Sequence, residues 1–505
     1  MCTKALGFGE KVVIAHFFGT GDTADVYFAS MGVVLSVVWL VRELVYPSLL
    51  PVFAGSLSKS MEVSDSLFRK GFLYAVVFLG IAGLGLAVFG RFAAAVFMPG
   101  FSAPKRALAS GLLRALSPAV VFFGLMMVTY TVLNARRDFL KAAWPDALLK
   151  LFVVGGLIAL APVMGIYAVA AVFGAGTLGC LILQLHFIPE RRALRQNNSC
   201  LSDGGEFKKV LILMGPLVAG AVFSHISGLV DNGLASMLPR GQLSYLGYSK
   251  KLIDAILLIG PVALVTVVYS QLSHLASSDE HKQFRTLVAK ASRLVLYLSV
   301  PTGCVLACLR GPVVRFLFER GRFDGQSTAG TAAVFVVYAA GLVTLSLETL
   351  LVYSFFALSD TRTPVKWGII CVVLNIMLAA VLMRWFAGAG IAGALVISKT
   401  VKVGVLAVTL HRRLGGLFDQ GLAVFAAKLA ASTALVWIVV GVLGRMGHAG
   451  GFVHRAAFDL MLPGMAAAAV FGLCSYVLRI EELGLLLSVV RNRKAAVSRL
   501  AGESK

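Results

Sequence analysis

The sequence predicts an all-α protein that crosses a membrane many times, and three observations carry that prediction. First, the 505 residues are 58% hydrophobic and only 14% charged, with a mean hydropathy of +0.87. Soluble domains carry about 25% charged residues. Second, the apolar residues fall in runs of about 20 or more, the length needed to cross a hydrocarbon layer roughly 30 Å thick. Third, the basic residues sit mostly in short connections between those runs, where the positive-inside bias puts them. The net charge of +22 is therefore attributed to topology and anionic headgroups, and no nucleic-acid partner is expected.

About fourteen spans are expected, in order: 3–18, 24–53, 71–98, 107–134, 142–164, 166–188, 208–237, 243–275, 286–309, 328–358, 365–386, 388–410, 421–444 and 456–478. The first, LGFGEKVVIAHFFG, carries Glu10 and Lys11 in its middle. It cannot face lipid all round, so it is expected to line the interior of a bundle. It lacks a small-residue cleavage site and is expected to be kept. The seventh and eighth are joined by the turn Leu238-Pro239-Arg240-Gly241. Lys250, Lys251 and Asp254 follow two to three turns into the eighth, at a depth that puts Lys251 and Asp254 inside the hydrocarbon. Being three apart, those two can meet on one helix face. A charge at that depth must be paired or face water. Two readings stand: a structural pair with a snorkelling lysine, or a cationic patch on a water-filled cavity aimed at an anionic substrate.

Further charges fall inside spans: Lys4, Asp25, Arg42, Glu43, Asp146 with Lys150, Asp231, and Lys399 with Lys402. Cations predominate. Pairing alone does not require the excess, whereas a bound anion does. Loop charges orient the chain with both termini inside, the basic outer segment from Arg310 to Arg322 being the exception. A faint repeat relates Gly21 and the exit GSLSKS at Gly55 to Gly241 and the exit SQLSHLASS at Ser270. It suggests two six-helix lobes related by a pseudo-twofold axis, residues 1–190 and 205–413, with a midplane site between them. Two extra helices follow over 419–480, and a basic amphipathic segment, 481–505, is expected on the inner membrane surface.

Enzyme chemistry has little support. No Gly-Lys dipeptide occurs, so there is no Walker A cradle. There is no HExxH, and the seven cysteines make no CxxC pair, so no metal site or disulfide framework is expected. No nucleophile with an oriented base stands out, and no cofactor is expected. His225 is the histidine expected deepest in the membrane, and a hydrogen-bonded packing role fits it better than a proton relay.

Several stretches resemble the MurJ (MviN) family of lipid II flippases. They are LGF at Leu6, FFGTGDTADVYF at Phe17, MPGF at Met98, LNARRDF at Leu133, MGP at Met214, VDNGLASMLPRGQLSYLGYSKKL at Val230, LFERGRFD at Leu317 and FFALSDTRTPVK at Phe355. They cover most of the first twelve spans in family order. The resemblance implies export of an undecaprenyl-diphosphate-linked peptidoglycan precursor from the inner to the outer leaflet of a bacterial cytoplasmic membrane by alternating access. Its partners would be that lipid-linked oligosaccharide, membrane lipids and cell-wall synthesis enzymes. A central cationic cavity would bind the head, and a groove beside the last two helices would hold the lipid tail. By resemblance, Lys4 falls at a functional arginine before LGF, Lys251 at the arginine of the eighth helix, Ser244 at a cavity serine, Asp254 at the following glutamate and Asp25 on a matching aspartate. Four departures stand out. Glu10-Lys11 reverses the family's basic-acidic pair, Val37 and Val38 replace arginines, Arg42-Glu43 stands near the family's Glu-Gly, and Lys150 replaces a common asparagine. The expected substrate-binding set is therefore Lys4, Glu10, Lys11, Asp25, Arg42, Lys150, Ser244, Lys251 and Asp254. A flippase for another polyprenyl-linked glycan, or a divergent paralogue without transport, stands as the alternative.

Overall fold

The structure, a computed structural model, describes residues 2–194, 205–278, 280–416, 420–445 and 456–484. These residues are helical almost throughout, with no strand among them. In chain order the helices are α1 (Cys2–Phe18), α2 (Asp22–Leu57), α3 (Met61–Val88), α4 (Gly90–Phe97), α5 (Ala103–Ala135), α6 (Phe139–Met164) and α7 (Tyr167–Phe187). After a 3-10 turn at Pro189–Leu194 come α8 (Glu206–Ser236), α9 (Gln242–Ile259), α10 (Pro261–Ser277), α11 (His281–Cys308), α12 (Arg310–Phe318), α13 (Gly325–Ala340) and α14 (Leu342–Ala357). The chain continues with α15 (Arg362–Arg413), α16 (Gln420–Arg445), a π-helical turn at Ala456–Met461, and α17 (Leu462–Val477). Most of the basic segment expected over 481–505 lies outside the described residues.

Among the described residues, nine helices are long and apolar enough to cross a membrane, or up to twelve if each of three bent pairs is one span. The 52-residue α15 merges two helices across Ala387, which adopts φ 47° and ψ −129°. The 17-residue α1 is shorter than those counted. Together these are compatible with about fourteen spans. The outward residues Leu73, Phe78, Ile81 and Leu84 of α3 are 47–68% exposed, as a lipid-facing surface requires.

Where the structure departs from the expected spans, backbone chemistry explains it. The third span is α3 plus α4, broken at Phe89, and it starts earlier because Ser60 Oγ accepts the Val63 N–H at 3.3 Å as an N-cap. The eighth is bent by 41° between α9 and α10, where Pro261 has no N–H to continue the ladder. The tenth is bent by 44° between α13 and α14 at Gly341. The basic segment after the ninth span is not a loop throughout: Arg310–Phe318 forms α12.

The chain divides into two compact units, Met1–Ser244 with Arg320–Asp324, and Tyr245–Glu319 with Gly325–Lys505. In the first, α2 packs against α5 and α8, α5 against α7, and α1 against α6. One apolar cluster there includes Phe53, Leu67, Phe68, Leu79 and Leu133. The strap Arg320–Asp324 returns to the end of α1, where the Arg322 N–H donates to the His16 carbonyl at 2.9 Å. In the second unit α10, α11, α14 and α15 enclose Val268, Leu272, Phe284, Leu350, Phe355 and Leu406. There α16 and α17 pack on α11 through Tyr297, Phe425 and Leu429, and the Tyr297 hydroxyl lies 2.9 Å from Ser475 Oγ.

Candidate substrate-binding site

The first unit gathers three of the expected residues. Glu10 and Lys11 are adjacent on α1, and Tyr27 of α2 ties them together. Lys11 Nζ donates to Glu10 Oε1 at 2.8 Å and also to the Tyr27 hydroxyl. The Tyr27 O–H in turn donates to Glu10 Oε1 at 2.5 Å. Glu10 is 9% exposed and Tyr27 is fully buried. Lys11 Nζ also lies 4.7 Å from the Tyr27 ring centre, a cation–π distance. Lys150 of α6 lies over Gly7, its Cδ and Cε 3.9 Å from where a Cβ would stand, within electrostatic reach of Glu10. Two ammonium groups against one carboxylate leave one surplus positive charge. A buried carboxylate needs donors, and the lysine and the tyrosine both supply one to Oε1. The helix period brings this about: Gly7, Glu10 and Lys11 are three and four residues apart and share the face of α1 toward α6 and α2.

Asp25 and Ser244 are also together, in a different arrangement. Asp25 is 1% exposed. Its Oδ2 accepts the Gly241 N–H at 2.9 Å and Lys105 Nζ at 2.7 Å, and its Oδ1 accepts the Ser244 N–H at 2.9 Å. Ser244 Oγ donates to the Gly241 carbonyl at 2.9 Å. Asp25 thus caps the start of α9 from the neighbouring α2, and Gly241 supplies the positive φ of 90° that the turn needs.

The remaining residues stand apart. The Arg42 guanidinium lies over the Trp39 ring at 4.9 Å and near Tyr130 at 5.7 Å, while Glu43 faces His225 Nε2 at 3.5 Å. In the second unit Lys251 is half-buried and Asp254 exposed on α9. No ion pair joins them among the described residues. Lys4 lies on α1, its side chain outside the described residues.

Sequence reasoning missed three partners. Tyr27 sits in a motif quoted only for its resemblance, and Lys105 looked like a loop charge. Glu348 of α14 is the third, accepting from Lys399 and Lys402 at 2.8 and 2.7 Å. Its signal was present: one acid inside the apolar run LETLLVYSFF.

The chain is similar to known proteins over most of its length. The sequence model described as "Lipid II flippase MurJ" matches residues 14–460. A probable lipid II flippase MurJ of Vibrio cholerae serotype O1 is 28% identical over 453 residues, covering 86% of this chain and 85% of that one. The probable lipid II flippase MurJ of Thermotoga maritima is 27% identical over 491 residues, covering 96% of each. Among solved structures, a lipid II flippase MurJ in an inward closed conformation superposes with a TM-score of 0.80 at 21% identity, over 94% of this chain and 96% of that one. An inward-facing multidrug resistance transporter of the MATE family gives 0.67 at 12% identity, over 82% and 94%. These structural likenesses show the fold, and the sequence match over most of the chain shows the family. The chain is a multi-pass membrane protein that belongs to the lipid II flippase MurJ family.

Proposed function

We propose that this chain carries lipid II, the undecaprenyl-diphosphate-linked peptidoglycan precursor, from the inner to the outer leaflet of a bacterial cytoplasmic membrane. The single observation that carries this reading is family membership across residues 14–460. The chemistry required agrees with it. A diphosphate crossing hydrocarbon needs cations and hydrogen-bond donors to replace its water. Lys11 and Lys150 surround one buried carboxylate, so the first unit offers a surplus cation on a preorganised scaffold.

In this reading Lys4, Lys11, Arg42, Lys150 and Lys251 attract the anionic head, and Glu10 and Asp254 moderate their charge. Asp25 and Ser244 hold the turn from which α9 presents Lys251. The last two helices, packed on α11, guide the lipid tail. Transport runs by alternating access, with the head site open first to one side and then to the other. No ATP-binding cradle occurs in the sequence, so the drive comes from a membrane potential, an ion gradient, or consumption of the product by cell-wall enzymes outside. Both termini are cytoplasmic, a topology that reporter fusions after Lys505 and near Asn197 test: an outside signal at either refutes it.

The decisive experiment depletes the resident flippase of a host and asks whether this chain restores cell-wall synthesis, alongside flipping of lipid II in vesicles holding the purified protein. Lys251→Ala should abolish flipping while expression and folding persist. Lys251→Arg should retain or raise it, because the guanidinium fork suits a diphosphate. Full activity of Lys251→Ala would remove Lys251 from the site. A second reading, a flippase for another polyprenyl-diphosphate glycan, is favoured by the reversed Glu10-Lys11 order and by lysine at position 251. It predicts flipping of that lipid in preference to lipid II.

A further inference from the structure

The second unit carries a charged cluster that the proposed head-binding set does not include. Glu348 lies nine residues before the end of α14, and Lys402 eleven before the end of α15. At 1.5 Å per residue both are about 14–16 Å from those ends, roughly the middle of a hydrocarbon layer about 30 Å thick. Lys399 Nζ and Lys402 Nζ both donate to the same atom, Glu348 Oε1, at 2.8 and 2.7 Å. The side chains of Lys402 and Glu348 are 11% and 13% exposed. Beside them Thr344, one turn before Glu348, is hydrogen-bonded to Thr400 at 3.1 Å. The flanking Leu347, Leu350, Leu351, Val403 and Leu406 belong to an apolar cluster.

Counting donors and charges exposes an imbalance. Each ammonium has three N–H donors. Among the described residues, Glu348 Oε1 is the one protein acceptor of either. Two cations share one anion, so one positive charge is uncompensated at a depth where an uncompensated charge is costly. A purely structural bridge needs one lysine. The second lysine brings donors and charge that only water or an anion can satisfy. An anion that visits this depth without leaving the membrane is the phosphate of a lipid.

We propose that Lys399 and Lys402, gathered on one oxygen of Glu348, form a phosphate-binding subsite within the second unit for the diphosphate of the transported lipid. This rests on the flippase reading. Glu348 acts as a built-in competitor: it keeps the lysines neutralised enough to fold in hydrocarbon, and weakens the subsite enough for the lipid to leave.

The test is a charge ladder on the full chain in detergent. Farnesyl diphosphate is the probe, phosphatidylglycerol the competitor, and thermal unfolding is recorded for every variant. The cluster carries +1 in the wild type, +2 in Glu348→Gln, +1 in Glu348→Gln with Lys402→Met, 0 in Lys402→Met and −1 in Lys399→Met with Lys402→Met. Affinity should follow that order: tighter than wild type in Glu348→Gln, close to wild type in Glu348→Gln with Lys402→Met, about tenfold weaker in Lys402→Met, and lost in the double methionine variant. The Glu348→Gln, Lys402→Met pair guards against misfolding, because it removes opposite charges together. A structural bridge predicts that Glu348→Gln unfolds earlier and gains no affinity, and that result overturns the proposal. So does phosphatidylglycerol competing as well as farnesyl diphosphate, which would make this a site for bulk membrane lipid. Wild-type flipping of lipid II with a flat ladder overturns the subsite alone. A ladder that follows charge in a protein that moves no lipid II overturns the flippase reading instead.

Discussion

Replacing Asp25 by alanine tests whether this carboxylate holds a turn or meets substrate. Its two oxygens accept two backbone N–H groups, of Gly241 and Ser244, and one ammonium, of Lys105. Alanine leaves both buried N–H groups without a partner, at about 1–3 kcal/mol each. Lys105 keeps a weaker contact with the half-exposed Asp22 at 3.2 Å, so its charge is not stranded. The two N–H groups together cost about 2–6 kcal/mol, enough to lower the unfolding midpoint of the detergent-solubilised chain by many degrees. Asp25→Asn keeps one carbonyl acceptor and should lose about half as much. Lys105→Met leaves both N–H bonds in place and should cost less than either. A double-mutant cycle between Asp25 and Lys105 should show coupling of about 0.5–3 kcal/mol. If Asp25→Ala unfolds at the wild-type midpoint but binds lipid diphosphate more weakly, the capping argument is refuted and Asp25 is a ligand contact.

Four further outcomes are expected. Glu10→Lys or Lys11→Glu alone should each cost about 3–5 kcal/mol, whereas the double exchange should be tolerated better than either, because all three groups meet at the Tyr27 hydroxyl; strict additivity in the cycle would separate their roles. Gly100→Ala would set a Cβ 2.5 Å from the Ser236 carbonyl oxygen and 2.6 Å from Met237 N, so thermal unfolding should show a loss of about 1–3 kcal/mol, and an unchanged midpoint would mean the α8 end yields. Ala387→Gly should raise stability by about 1–3 kcal/mol by relieving the positive φ of 47°; a loss would show that the chain there is not strained. Asp360, in the loop before α15, has its pKa lowered from 3.8: burial pushes it up, but the backbone N–H and hydroxyl of Thr363 and the Arg413 guanidinium outweigh that. Since the folded value is the lower one, its stabilisation is full above pH 3.8 and is lost as pH falls through the folded value. The stability gap between wild type and Asp360→Asn should therefore close below about pH 4, and a gap that persists under acid would refute the assignment.

By itself the sequence determined the class of the protein, the place of its spans and its family. Hydropathy is summed over neighbours along the chain, so each run of apolar residues declares its own crossing. The expected break between 365–386 and 388–410 falls at Ala387, where α15 is interrupted. The bends at Pro261 and Gly341 were written in residue types but read as continuous spans, because a proline or glycine inside a membrane helix does not by itself say whether the helix kinks. Tertiary structure alone decided which charges far apart in the chain meet. Asp25 finds Gly241 and Ser244 more than two hundred positions away, and Lys105 eighty away. Glu348 finds Lys399 and Lys402 some fifty positions away, while Lys251 and Asp254, three apart and able to meet on one helix face, form no ion pair among the described residues. The physical reason is one of range. Transfer from water to hydrocarbon is decided residue by residue, but a buried charge is satisfied only by a partner brought within about 3 Å, and which helices bring it there is set by packing between segments far apart in the chain.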